Sequence, residues 1–489
     1  MPIFIAFVVT HFALILWGIG THVGDFAPMM AATVQDTHAA SNELGMFGLI
    51  GLFLTAYSLG GGTFTGIEAV SNSTAILREP RVETGKTTMA YMAISLAFTA
   101  GGIPLCYLLN NVVHEHGRTL NASLWTLLTK DWTVGGFAVG GPIVVFTLLA
   151  EGALLFVAAQ TGFLAGPATL ASLAVDIWVR KRFAHLSERL VTQNGIITMG
   201  LAAIVTLAYT GGAVKLLVVM YSINVFLTFT LSQAGMVRHW WDVRQVEAHW
   251  RRRILLASLG TLVTGGILIT TSVIKFSHGG WLTLAVTGAF ILVCVAVRAH
   301  YHRVRGVLSS LDETLQDLPM PARENAPELA PDGPTAVVLV ESYAGLGIHT
   351  LLSVQRMFPR HFKNFVFVSV GLVDSGQFKG TEAMKALESK VQDGLERYVE
   401  LAQRMGYYAE YRFTLGTDLI EELEQICHDL QKEFRRSIVF AGQLVFQREN
   451  LLTRTLHHET AFSIQRRLQF AGIQVIILPI RVWESRKQP

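Results

Sequence analysis

The chain alternates long apolar runs with short polar stretches over roughly its first 300 residues, then changes rhythm. Eight apolar runs lie at about 2–20, 46–76, 87–109, 137–165, 194–211, 214–236, 253–275 and 280–300. A membrane crossing needs about 20 consecutive apolar residues. Every backbone polar group inside lipid must find an internal partner, so each run predicts a helix. The first run has no basic leader and no small-x-small cleavage site, so it predicts a spanning helix and not a signal peptide.

Beyond the eighth run a different pattern begins. Pro319, Pro321, Pro327, Pro331 and Pro334 mark a linker at 303–334. Short β-patterned runs then alternate with amphipathic ones. Strands are predicted at 335–341, 364–373, 407–415, 437–446 and 473–482, with helices at 347–358, 381–405, 418–434 and 456–470 between them. Five strands alternating with helices predict a parallel α/β sheet. The organisation read here is therefore a transmembrane domain at 1–302, a linker at 303–334 and an α/β domain at 335–489.

Composition agrees with this division. The 489 residues are 51% hydrophobic and 15% charged, against about 25% charged in soluble domains. Mean hydropathy is +0.42. A net charge of +3 is too small to argue for nucleic acid. The three cysteines, Cys106, Cys294 and Cys427, are far apart and without CxxC spacing, so neither a disulfide framework nor a zinc site follows. Loop charge sets the orientation. Residues 21–45 and 209–213 hold no Lys or Arg, whereas Arg78, Arg81 and Lys86, then Arg180 to Arg182, then Arg251 to Arg253, mark alternate loops. Basic loops stay in the cytoplasm. The chain is thus expected to be a multi-pass protein of the cell inner membrane, with Met1 and the α/β domain both cytoplasmic.

The second run carries unusual chemistry. Gly60-Gly61-Gly62 is followed by Thr63, Thr65, Gly66, Glu68 and Asn72. Each glycine costs a helix interior about 1 kcal/mol relative to alanine. A break at this point frees backbone carbonyls beside two threonine hydroxyls, which is how discontinuous helices bind small ions and solutes. Glu68 follows about one turn later, and a carboxylate inside a membrane marks function by default. A glycine-rich helix packed closely on a neighbour accounts for the same residues without a site. Glu151 is a second carboxylate inside an apolar run, either a proton carrier or a polar contact between helices. Gln160 and Thr161, near the end of that run, either line a pathway or hydrogen-bond between helices.

The stretch from Gly62 to Asn72 resembles the sixth helix of the amino acid–polyamine–organocation (APC) superfamily. It looks closest to the branch that includes the KimA-type potassium importers. Residues 158–176 resemble the eighth helix and its following loop, and Phe226 to Met236 resembles the tenth. The resemblance implies a LeuT-like fold of inverted five-helix repeats, in which these eight spans are helices five to twelve. Helices one to four, including half of the central site, have no counterpart. The expectation is an N-terminally truncated sequence, the alternative a half-transporter completed by another chain. The implied activity is secondary active transport, with potassium as substrate and protons as coupling ion. Hydroxyls, carbonyls and one carboxylate suit a hard cation, but the same groups suit an amino acid's carboxylate and ammonium, as in an amino-acid permease. A membrane-anchored sensor is a further reading, although an anchor has no need of a broken helix.

The strand order resembles the universal stress protein fold, which KimA-type importers carry in their tails. That resemblance implies a regulatory domain, a cyclic dinucleotide such as cyclic di-AMP as ligand, and a homodimer formed through the tail. The glycine spacing of ATP-binding members is missing after Gly442. Gly345-Leu346-Gly347 after the first strand is either a phosphate-binding helix start or an ordinary turn. Neither a Walker A sequence nor a hydrolase triad nor HExxH occurs, so no enzyme activity, resident metal or cofactor is read from the chain.

Overall fold

The computed structural model describes residues 2–60, 70, 77–315, 327–376, 381–446, 456 and 459–482. They form two compact units, one from 1–165 and 200–290, the other from 166–199 and 291–489.

The first unit is helical. Its elements are α1 (Pro2–Gly20), α2 (Phe26–Leu59), α3 (Arg81–Leu109), α4 (Leu120–Thr129), a hairpin of β1 (Thr133–Val134) and β2 (Phe137–Ala138), and α5 (Gly140–Val175). Then come α6 (Gln193–Thr210), α7 (Val214–Asp242), α8 (Trp250–Ile274) and α9 (Gly280–Leu315); residues 166–175 of α5, 193–199 of α6 and 291–315 of α9 are counted with the second unit. Several threonine hydroxyls along the spans return to the carbonyl one turn back, as Thr10 does to Ala6 at 2.8 Å and Thr147 to Ile143 at 2.9 Å, although the buried hydroxyls of Thr271 and Thr283 do not. An apolar helix can therefore carry those that do without an unsatisfied donor. Close approach of α1 and α3 depends on Gly102, where an added Cβ would lie 2.6 Å from Ile15 Cγ2. Leu14, Ile15, Cys106, Leu124, Trp125 and Leu128 form the buried cluster around this crossing.

Among the described residues, seven helices are long and apolar enough to cross a membrane. The run expected at 194–211 forms α6, but this helix has 18 residues and opens on Gln193 and Asn194. The run expected at 46–76 begins inside the longer α2. Gly45 breaks that helix with φ 72° and ψ 170°, a left-handed conformation that favours glycine. The apolar segment starts one residue later. The polar stretch between the third and fourth runs, read as a loop, holds α4 and the hairpin. Thr119 caps α4 by accepting from the Ala122 amide at 3.2 Å.

The second unit holds a five-stranded parallel sheet: β3 (Thr335–Leu339), β4 (Asn364–Leu372), β5 (Tyr408–Gly416), β6 (Ser437–Phe446) and β7 (Val475–Val482), in the order β5-β4-β3-β6-β7. Between them lie α10 (Gly345–Met357), α11 (Thr381–Arg404), α12 (Leu419–Glu433) and α13 (Glu459–Phe470). Central strands of a parallel sheet are covered on both faces and read as continuous apolar runs. Ala336, Val337 and Val338 of β3 and Phe365 to Val368 of β4 are all buried accordingly. Asp418 caps α12 by accepting from the amides of Ile420 and Glu421, at 2.9 and 3.2 Å. Buried Asn364 ties the preceding segment to the sheet: its Nδ2 donates to the Ala330 carbonyl at 2.8 Å and its Oδ1 accepts from the Ala330 amide at 3.1 Å.

Gly347 has a packing role. A Cβ there would overlap the Tyr398 hydroxyl. That hydroxyl donates to the Ser342 carbonyl at 2.8 Å and accepts from the Ala344 amide at 3.1 Å. The turn after β3 is thus held by an internal side chain. In the same unit the loop following α5 meets the end of β4. His185 and Asp374 form an antiparallel bridge, and the Ser375 amide donates to the Ala184 carbonyl at 3.0 Å.

Candidate functional site

Gly61, Gly62, Thr63, Thr65, Gly66, Glu68 and Asn72 lie outside the described residues. The polar cluster that the structure does describe is built around Glu151 on α5.

Three side chains converge on one oxygen of this carboxylate. His11 Nε2 of α1 lies 2.9 Å from Glu151 Oε1, Asn121 Nδ2 of α4 donates to it at 3.1 Å, and Trp125 Nε1 donates to it at 3.2 Å. Asn121 and Trp125 stand four residues apart, so they share one helix face. The Tyr107 hydroxyl on α3 donates to Asn121 Oδ1, which turns the amide's NH2 toward Glu151. Four helices therefore contribute to one hydrogen-bonded cluster. His11 is 1% exposed and Glu151 20% exposed. The imidazole is wedged between Phe7, at 3.9 Å between ring centroids, and Trp125, edge-on at 5.5 Å.

The geometry fixes one of the two proton positions on this pair. His11 Nδ1 lies 2.8 Å from the Phe7 carbonyl. A carbonyl only accepts, so Nδ1 carries a hydrogen. The contact between Nε2 and Oε1 then needs one further proton, placed on either atom. Imidazolium with carboxylate and imidazole with carboxylic acid are both compatible with it. Trp125 and Asn121 present only N–H groups to Oε1, which suits an ionised oxygen. The cluster can take up, hold and release a proton within one hydrogen bond, in surroundings that are otherwise apolar.

Gln160 and Thr161 do not join this cluster. They lie on α5 nine and ten positions beyond Glu151, a rise of roughly 14 Å for the former. Both are exposed, and Thr161 Oγ1 donates to the Ala158 carbonyl at 2.6 Å. Conversely, His11, Tyr107, Asn121 and Trp125 were not singled out from sequence. His11 had a usable signal, since it is an ionisable side chain inside an apolar run. Asn121 and Trp125 had none, because they sit in a ten-residue helix too short to read as a span, and neither side chain is ionisable in it.

No family model matches the chain. The potassium transporter KimA of Bacillus subtilis (strain 168) is 29% identical over 298 residues, 60% of this chain and 47% of KimA. The chain is distantly homologous to a potassium transporter. It spans about half the length of that relative. Together with the seven long apolar helices among the described residues, this likeness to KimA supports a multi-pass membrane protein.

Proposed function

We propose that this chain forms part of a secondary active transporter that takes up potassium together with protons. The observation that carries the reading is the similarity to KimA over 298 residues, named as a potassium transporter. The Glu151–His11 pair supports proton coupling, because an intramembrane carboxylate bonded to a buried imidazole is a minimal proton relay. In this reading Thr63 and Thr65 offer hydroxyl or carbonyl oxygens to the cation, with Glu68 nearby. Gly61, Gly62, Gly66 and Asn72 belong to the same proposed ion-binding segment. The α/β domain faces the cytoplasm and regulates uptake.

The test is growth at low potassium of a host that lacks potassium uptake, with the protein expressed from its complete gene. Rescue is the expected result. Rescue of amino-acid auxotrophs, with none for potassium, would transfer the assignment to an amino-acid permease.

A further inference from the structure

The turn between α7 and α8 concentrates positive charge and aromatic surface. Residues 238–253 hold Arg238, Arg244, Arg251, Arg252 and Arg253, against two carboxylates, Asp242 and Glu247. Both flanking helices are long and apolar enough to cross a membrane, so a turn joining them lies at one membrane boundary. Three of the arginines stack on tryptophans. Arg253 Cζ lies 4.6 Å from the Trp240 ring centroid, Arg244 Cζ 4.9 Å from Trp241, and Arg251 Cζ 5.5 Å from Trp250. Trp241 and Trp250 themselves meet edge-to-face at 6.4 Å, which ties the two ends of the turn together.

Stacking engages the face of a guanidinium and leaves the in-plane N–H groups at its edge available for hydrogen bonds; Arg244 uses one of them, donating from Nη1 to the Trp241 carbonyl at 2.8 Å. Those edges form the fork that matches phosphate oxygens. The two acids are taken: Glu247 pairs with Arg253 at 3.5 Å and Asp242 with Arg238 at 3.8 Å. Among the described residues no carboxylate pairs with Arg244, Arg251 or Arg252, and all three are exposed. Tryptophans are also the side chains that settle at headgroup depth.

We propose that this turn is a binding site for the anionic headgroup of a bilayer phospholipid. Arg244, Arg251 and Arg252 fork the phosphate; Trp241 and Trp250 hold the guanidinium planes of Arg244 and Arg251, and together with Trp240 they anchor the turn at the interface. The leaflet is the cytoplasmic one, where basic turns reside and anionic lipids carry the surface charge. Each basic residue near such a surface is worth about five-fold in affinity.

The experiment is native mass spectrometry of the full chain released from vesicles that hold phosphatidylglycerol and phosphatidylcholine in equal amounts. The unmodified protein should retain phosphatidylglycerol preferentially, by about ten-fold or more. The triple variant Arg244→Gln/Arg251→Gln/Arg252→Gln should lose most of that preference while keeping its helical circular dichroism. Should the triple variant not fold, the single exposed change Arg252→Gln should lower the preference by about five-fold. Millimolar inorganic phosphate should leave the retained lipid in place. Equal retention of both lipids by the unmodified chain would overturn the proposal. So would an undiminished preference in a folded arginine variant, or displacement of the lipid by inorganic phosphate, which would mark a free-anion site.

Discussion

His11 and Glu151, 140 positions apart in the chain, meet with imidazole Nε2 at 2.9 Å from carboxylate Oε1. The contact joins the first helix to the fifth, and Asn121 and Trp125 close on the same oxygen from α4. One carboxylate oxygen thus serves three side chains from two other helices at once. Its structural and its chemical roles can be separated by substitution.

Glu151→Ala removes the shared acceptor and leaves three buried or half-buried donors without a partner. An unsatisfied buried donor costs about 1–3 kcal/mol, so this variant should unfold at a clearly lower temperature in detergent. Glu151→Gln keeps an amide oxygen for Asn121 and Trp125 and should retain most of the stability. A thermal-shift comparison checks this. Equal melting for wild type and Glu151→Ala would show that the cluster holds nothing together.

His185 reports on the contact between the α5–α6 loop and the end of β4. Burial holds its imidazole below the ordinary histidine range, and Arg182 and Lys181 act in the same direction, while Asp374 opposes them. A depressed histidine favours the folded contact above its ordinary value of 6.5, and that contribution is lost as pH falls. Exchange of the Ser375 amide, bonded to the Ala184 carbonyl, should therefore become less protected below about pH 6 after correction for intrinsic rates. His185→Gln should remove that pH dependence. Protection independent of pH in the wild type would contradict it.

Cys427 gives a second pH signature, within α12. Burial pushes its thiol from 9.0 up to about 12. The unfolded thiol ionises first, so its contribution is intact below pH 9 and is lost as pH rises toward 12. In urea titrations of residues 327–489 expressed alone, wild type should lose more stability than Cys427→Ala between pH 8 and pH 10. Parallel losses would mean that the thiol reaches solvent.

Much of this architecture was legible before folding was considered. The five strands of the tail reappear within about two residues of their sequence bounds, and β6 at Ser437–Phe446 as read. Their apolar runs are continuous because both sheet faces are covered, and Asp418 and the prolines punctuate them. The membrane spans were readable for a related reason: lipid demands length and apolarity, and both are properties of the sequence. Legibility ended where a property depends on tertiary contact. Leu120–Thr129 is a mixed stretch too short for a span, and its helix buries Leu124, Trp125 and Leu128 in the cluster that α1 and α3 also form. Glu151 was visible as a carboxylate out of place, but its partners were not. Sequence spacing says nothing about which distant helix will bring a histidine to it.

Proton movement during potassium uptake tests the account most directly. Vesicles containing the product of the complete gene are given potassium outside, with and without an inward proton gradient, and both ions are followed. The wild type should take up potassium faster with the gradient and should carry protons inward as it does so. Glu151→Gln should fold and insert normally yet lose the acceleration by the gradient. Gradient-accelerated uptake that is unchanged in Glu151→Gln would show that the His11–Glu151 pair is a structural contact and that protons travel elsewhere.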